Sequence, residues 1–219
     1  MLRRAALGLL LLAACAGGAQ AATRPIDFDW LRAQARERAK AAYAPPPAAS
    51  EALGAIDPAR LATLTVKPQR APWSTRSRFV PMPLAPRKDC EPTVFNSIQA
   101  SGVQRLDYTP DLFDWAAAGA PVPGPAAAGF CGFDLLYPAP GGARVPLARF
   151  SGDAWQVVGA VPVFGAQALV TGEVGADGRV HGLPFRQFWL VRPAARATQL
   201  RIYALAESAA LVAAVQIDL

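Results

Sequence analysis

The 219-residue sequence is poor in metal-binding residues, with one histidine, His181, three cysteines and no Cys-x-x-Cys pair. A zinc site needs several closely spaced histidine or cysteine ligands, so we expect no metal site. The sequence also lacks a Gly-x-Ser-x-Gly motif and a glycine-rich loop for phosphate. These absences exclude the common serine hydrolase triads and nucleotide-binding enzymes, and no cofactor is expected.

Charged residues make up only 17% of the chain and apolar residues 53%, a composition that argues against disorder. The 21 prolines and 18 glycines predict short elements joined by many turns, which favours a β-rich class over a helical one. The basic residues behind the formal net charge of +6 are scattered along the chain. Without a dense basic run, nucleic-acid binding is not expected.

The first residues have the order of an export signal. Arg3 and Arg4 precede an apolar run at residues 5–14, and Ala19-Gln20-Ala21 forms a small-x-small cleavage site. This order predicts a signal peptide over residues 1–21. Because about ten apolar residues are too few to cross a bilayer as a helix, no transmembrane span is expected. We therefore expect a periplasmic protein.

A second processing site overlaps the first. Leu12-Ala13-Ala14-Cys15 resembles the bacterial lipoprotein box, so the alternative is removal of residues 1–14 and acylation of Cys15. Acyl chains there would anchor the domain to a membrane, still outside the cytoplasm. By either route Cys90 and Cys131 enter an oxidising compartment, which permits a disulfide between them. Two buried free thiols are the alternative.

Residues 22–47 are predicted to form an N-terminal helix and a proline-rich linker. Asp27 or Asp29 can cap the start of the helix, and the prolines at 45–47 end it. The residues expected on the buried side of this helix are Trp30, Leu31, Ala35 and Ala42.

Residues 48–219 are predicted to form one β domain, because β-branched and aromatic runs alternate with proline, glycine and asparagine breaks. The strongest signal is the hairpin FRQFWLVRPAARATQLRIYAL, residues 185–205. Phe188 and Leu190 alternate with Trp189 and Val191, so the first strand should be covered on both faces. The pattern favours an all-β fold, either an antiparallel β-sandwich or an open barrel-like sheet, after one N-terminal helix. The sequence stops within an apparent strand, as expected of the N-terminal half of a larger domain.

Carboxylates are the first candidates for chemistry. Asp107, Asp111 and Asp114 form the densest acidic cluster. The sequence Thr109-Pro110-Asp111 is typical of a turn, so we expect these carboxylates to cap backbone N–H groups or to lie in solvent. Asp153 beside Trp155 could bind sugar through a carboxylate and an aromatic face, although an edge-of-core tryptophan with a solvated aspartate is the simpler interpretation.

Four ordered stretches resemble the periplasmic glucan biosynthesis proteins of the G and D type, which act on osmoregulated periplasmic glucans. They are IDFDWLRAQAR, VQRLDYTPDLFDW, GFCGFDLLYP, and FRQFWLVRP with its partner LRIYALAES. The resemblance implies a galactose-mutarotase-like β-sandwich with a wide cleft for a β-1,2-linked glucan. It also implies that the sandwich continues beyond Leu219 and that a smaller immunoglobulin-like domain follows. The catalytic aspartate of glucan-cleaving relatives belongs to that later part, so no catalytic residue is assigned.

The sequence departs from the family at two places in the expected cleft. Val157 and Leu169 stand where relatives have arginines, and each replacement removes up to five hydrogen-bond donors. The candidate substrate-binding residues in these segments are Asp153, Trp155, Gln156 and Gln167. We expect a β-glucan-binding protein without catalytic activity. The alternatives are a cell-envelope interaction domain, with a homodimer through an exposed sheet edge, and a fragment of an active glucan-processing enzyme.

Overall fold

The structure is a computed structural model that describes residues 25–46, 53, 56–73, 77–88, 90–122, 129–151, 154–157, 168–170, 172–174 and 176–219. For residues 154–157, 168–170, 172–173 and 180–182 it describes the backbone alone. The predicted signal peptide, residues 1–21, and Cys15 lie outside the described residues. None of the helices in the described part of the chain is long and apolar enough to cross a membrane.

The described residues form a mainly β structure. The α-helices whose bounds it describes are α1 (Phe28–Lys40) and α2 (Pro58–Thr63). The strands are β1 (Val80–Pro83), β2 (Val94–Gln99), β3 (Gly102–Leu106), β4 (Phe133–Pro138), β5 (Arg144–Ser151), β6 (Ala154–Val157), β7 (Ala168–Val170), β8 (Gly172–Val174), β9 (Val180–Gly182), β10 (Phe185–Val191), β11 (Arg201–Glu207) and β12 (Val212–Asp218).

These strands form two five-stranded sheets and a small hairpin. The first sheet has the order β1-β4-β5-β6-β7 and is antiparallel throughout. The second has the order β12-β11-β10-β2-β3 and is mixed, because β10 and β2 are parallel. The expectation of wholly antiparallel sheets is therefore wrong for this pair. Asn96 and Phe188, which lie on the paired strands, are 92 residues apart, so no tight turn forces the strands to run in opposite directions.

The two sheets pack face to face through phenylalanine rings. Phe95 and Phe188 of the second sheet contact Phe133 of the first, with ring centroids 5.1 Å and 5.2 Å apart. Phe150 stacks on Phe133 at 4.6 Å and also contacts Phe188. Such ring pairs contribute beyond their buried area, so this cluster holds the sheets together.

Helix α1 covers the other face of the second sheet. The Asp27 side chain caps the helix by accepting a hydrogen bond from the backbone N–H of Trp30 at 2.8 Å. Leu31 is fully buried in a cluster with Trp189 and Tyr203. The predicted hairpin is confirmed as β10 and β11, with both faces of β10 covered. Ala42, expected on the buried side, is exposed because the helix ends at Lys40.

The motif GFCGF, residues 129–133, ties the first sheet to the loops around it. Phe130 and Phe133 are buried in the core, and Cys131 forms a disulfide with Cys90, with the two Cα atoms 5.7 Å apart. Gly132 has a φ of +103°, and a Cβ there would lie 1.8 Å from the carbonyl oxygen of Phe150. Both the positive φ and the lack of space for a Cβ therefore require glycine at this position.

Candidate functional site

A cleft of about 620 Å³ opens beside the C-terminal end of α1, where several strands of the second sheet begin or end. We call it the outer cleft. The ends of β2, β3, β10 and β11 form its floor, and the Cys90–Cys131 disulfide lies at its side. The polar side chains that line it include Arg38, Arg105, Asp107, Tyr108, Arg186 and Glu207.

Arg186 lies near the start of β10, and its side chain is only 13% exposed. It forms an ion pair with Glu91 and donates a hydrogen bond to the Tyr43 hydroxyl at 2.7 Å. Its Nε atom is buried and has no hydrogen-bond partner among the described residues. A buried guanidinium donor without a partner is costly, so this atom is a candidate contact for a ligand.

Glu207 ends β11 with a side chain that is 7% exposed. Arg38, from the last turn of α1, donates from Nε to both carboxylate oxygens at 3.0 Å. A carboxylate at this depth needs a cationic partner, and the helix supplies one. The pair joins the N-terminal helix to the wall of the outer cleft.

Tyr108 follows β3 and packs against Phe113 and Phe130. Its hydroxyl is buried and has no hydrogen-bond partner among the described residues. Burial raises the pKa of Tyr108 to about 12, so the group stays a neutral phenol at physiological pH. A phenol can both donate and accept, which suits a ligand hydroxyl.

The charges of the outer cleft are largely paired. Arg105 forms an ion pair with Asp107 at 2.8 Å, in addition to the Arg186–Glu91 and Arg38–Glu207 pairs. The cleft therefore offers donors and acceptors beside aromatic rings without a strong field of one sign. This chemistry suits a neutral ligand with many hydroxyl groups better than a phosphate or a nucleic acid.

The predicted substrate-binding residues are described only in part. Trp155 and Gln156 lie in β6, and their backbones pair with Phe150 and Arg149 of β5. Asp153 and Gln167 lie outside the described residues. The structure therefore does not show whether these four side chains meet, and their role in binding stays a prediction.

The sequence interpretation missed Arg186, Glu207 and Tyr108. A signal was available for the first two, because each is a charged residue within a largely apolar strand. Such a charge needs a buried partner. The partner itself comes from a distant part of the chain and could not be identified.

Two members of the acidic cluster, Asp111 and Asp114, have the structural roles that the sequence favours, whereas Asp107 pairs with Arg105 and lines the outer cleft. Asp111 accepts a hydrogen bond from the Thr109 hydroxyl and pairs with Arg70 at 2.7 Å. The Thr109 hydrogen bond first, and then the positive charge of Arg70, lower the pKa of Asp111. Asp114 accepts a hydrogen bond from the backbone N–H of Ala117 at 3.1 Å. No group of three or more potential metal ligands occurs in the part of the chain that the structure describes.

We predict that Arg38→Ala lowers the free energy of unfolding by about 2 kcal/mol, because it leaves the buried Glu207 carboxylate without its partner. This value is below that of a fully buried pair, since the Arg38 side chain is 42% exposed. Urea unfolding measures the change. Arg36→Ala is the matched control on the exposed side of the same helix and should cost less than about 0.5 kcal/mol. Equal losses for the two variants would show that the ion pair contributes nothing.

Comparison with known proteins supports the resemblance seen in the sequence. A family model described as "Periplasmic glucan biosynthesis protein, MdoG" matches residues 26–219. A curated relative, "Glucans biosynthesis protein D 1" of Ralstonia nicotianae, is 29% identical over 241 residues. That alignment covers 100% of this chain and 43% of the relative, so the chain spans less than half the length of that protein. Because the family model matches most of the length of this chain, the chain belongs to the periplasmic glucan biosynthesis protein family.

Proposed function

We propose that this chain binds a β-1,2-linked glucan in the periplasm and has no catalytic activity of its own. The observation that carries the proposal is the family match over residues 26–219. The chain corresponds to 43% of the curated relative, so the activity of a whole family protein is not transferred to it. The Cys90–Cys131 disulfide is consistent with export to an oxidising compartment.

We place the glucan in the outer cleft. The unpartnered Tyr108 hydroxyl and Arg186 Nε would bind sugar hydroxyls, and the paired ions around them supply further donors and acceptors. Asp153, Trp155, Gln156 and Gln167 remain the sequence-based candidates for additional contacts. The proposal also takes the two stacked sheets to be part of a galactose-mutarotase-like β-sandwich, as expected for the family; an experimental structure with a different strand order would contradict this.

We expect β-1,2-glucan oligosaccharides to bind the chain in isothermal titration calorimetry. Tyr108→Phe should weaken binding about five- to tenfold, the effect of losing one or two hydrogen bonds. The same change should leave the free energy of unfolding unchanged or slightly higher, because the hydroxyl has no partner among the described residues.

Tyr137→Phe is the matched control, because Tyr137 is a tyrosine of β4 that does not line the outer cleft. No heat at millimolar glucan would remove the binding proposal. If glucan binds and Tyr108→Phe has no effect while Trp155→Ala abolishes binding, the site is at β6 instead of the outer cleft.

One observation favours a second candidate, an interaction domain that dimerises through a sheet edge. β12 is an edge strand of the second sheet, and Val212–Ile217 carries no charge. Edges of this kind pair with other strands unless they are protected by charge or proline. Light scattering, together with the calorimetry, distinguishes the two candidates. A monomer that binds glucan counts against the interaction domain, and a dimer that does not bind glucan counts against the glucan-binding protein.

A further inference from the structure

A second cavity, of about 350 Å³, opens between the two sheets, and we call it the inter-sheet cavity. Phe95 and Leu190 of the second sheet and Phe133 of the first form an apolar floor. Its volume lies at the lower end of the range for small-molecule sites, about 300–1,000 Å³. It shares Arg105 and Leu106 with the outer cleft. Trp73, Phe95 and Arg192 line the inter-sheet cavity alone.

One wall of the inter-sheet cavity is a strained tryptophan. Trp73 has a φ of +62° and is the only residue other than glycine with a positive φ in the described part of the chain. The residue is 7% exposed, and its ring is fixed by a hydrogen bond from Nε1 to the Ser97 hydroxyl at 3.0 Å. A bulky residue rarely adopts this backbone conformation, and such strain concentrates where a ligand is held.

The mouth of the inter-sheet cavity is positively charged. Among the described residues its lining includes Arg70, Arg105 and Arg192 but no aspartate or glutamate. Arg70 and Arg105 form ion pairs with Asp111 and Asp107, neither of which lines the cavity.

Arg192 differs from the other two arginines. Its guanidinium donates to the neutral Gln99 amide oxygen at 3.1 Å, and it forms no ion pair within the described ranges. Its backbone N–H donates to the Ile98 carbonyl at 2.9 Å, which holds the residue beside the cavity. An exposed, fixed guanidinium above an apolar floor matches a ligand with one anionic end and one apolar end.

We propose that the inter-sheet cavity binds a small amphiphilic carboxylate. The apolar chain lies in the cavity against Trp73, Phe95 and Phe133, and the carboxylate pairs with Arg192. The apolar residues provide affinity that grows with chain length, while Arg192 selects for the anion. This inference does not depend on glucan binding, because Trp73, Phe95 and Arg192 do not line the outer cleft.

The test uses hexanoate, octanoate and decanoate as probes, below their micellar concentrations, with ¹⁵N-labelled tryptophan in the full chain. We expect each acid to shift the Trp73 indole resonance, with affinity rising roughly three- to fourfold for each added methylene until the cavity is full. Arg192→Gln should weaken decanoate binding about tenfold or more. Arg196→Gln, a neighbouring exposed arginine that lines neither cavity, is the matched control and should change the affinity less than twofold.

Three results would overturn the proposal. The first is the absence of any shift of the Trp73 indole resonance at 1 mM decanoate. A dissociation constant well above about 1 mM is too weak for the specific site proposed. The second is equal weakening by Arg192→Gln and Arg196→Gln, which would indicate non-specific attraction to the net positive charge. The third is binding of uncharged 1-decanol as tight as that of decanoate, which would leave Arg192 without a role.

Discussion

Replacing both Cys90 and Cys131 by alanine is expected to lower the free energy of unfolding by about 4 kcal/mol. The disulfide closes a loop with a sequence separation of 41 residues, and loop-closure entropy for that length gives about this value. For a chain of this size the melting temperature should fall by roughly 8 to 16 °C. Differential scanning calorimetry measures the shift.

The control for the disulfide is the same measurement with and without a reducing agent. Cys131 is 2% exposed, so part of the loss in the variant comes from the packing of its sulfur atom. Reductant should therefore lower the wild-type melting temperature to slightly above that of the double variant and should not change the variant itself. A wild-type protein that melts at the same temperature in both conditions would show that the cysteines are not joined.

Gly132→Ala is expected to lower the free energy of unfolding by roughly 2 to 6 kcal/mol. The φ of +103° is unfavourable for alanine, which accounts for about 1–3 kcal/mol. The new methyl group would also meet the Phe150 carbonyl oxygen at 1.8 Å. That atom is backbone of β5 and cannot rotate away, so β4 and β5 must separate locally, at a further cost of about 1–3 kcal/mol. Urea unfolding followed by tryptophan fluorescence measures the total.

Gly102→Ala is a closely matched control for this substitution. Gly102 has a similar φ, +116°, but a Cβ there would meet nothing within 4 Å. Its cost should therefore contain the backbone strain alone, about 1–3 kcal/mol. The difference between the two variants measures the clash with Phe150. If both variants lose the same stability, the close approach of the two strands is not what requires glycine at Gly132.

Much of the fold could be predicted because its strands carry local signals. The alternation of Phe188 and Leu190 with Trp189 and Val191 predicts coverage on both faces, and the structure places one pair in the core and the other beneath α1. Strand direction was not predictable to the same degree. The alternation of side chains along a strand indicates which face of the sheet each residue occupies. It does not indicate whether the neighbouring strand runs parallel or antiparallel, as the β2–β10 pair shows.

The candidate site was less predictable than the fold, for a physical reason. The outer cleft combines Arg38 of α1 with Glu207 of β11 and Tyr108 after β3, so each contact joins distant parts of the chain. A sequence indicates that a charge such as Glu207 needs a partner, but not which cation supplies it. By contrast, the turn roles of Asp111 and Asp114 depend on neighbours within three residues and were correctly inferred.

The docking of α1 on the last strands of the second sheet has a consequence for protein synthesis. Arg38 and Glu207 are 169 residues apart, so the helix cannot reach its final position until β11 has left the ribosome. At about 5–20 residues per second, that delay is on the order of ten seconds or more. During this interval the chain has no finished second sheet on which the helix could dock. The same long-range contact that stabilises the folded domain thus makes the docking of α1 a late step of folding.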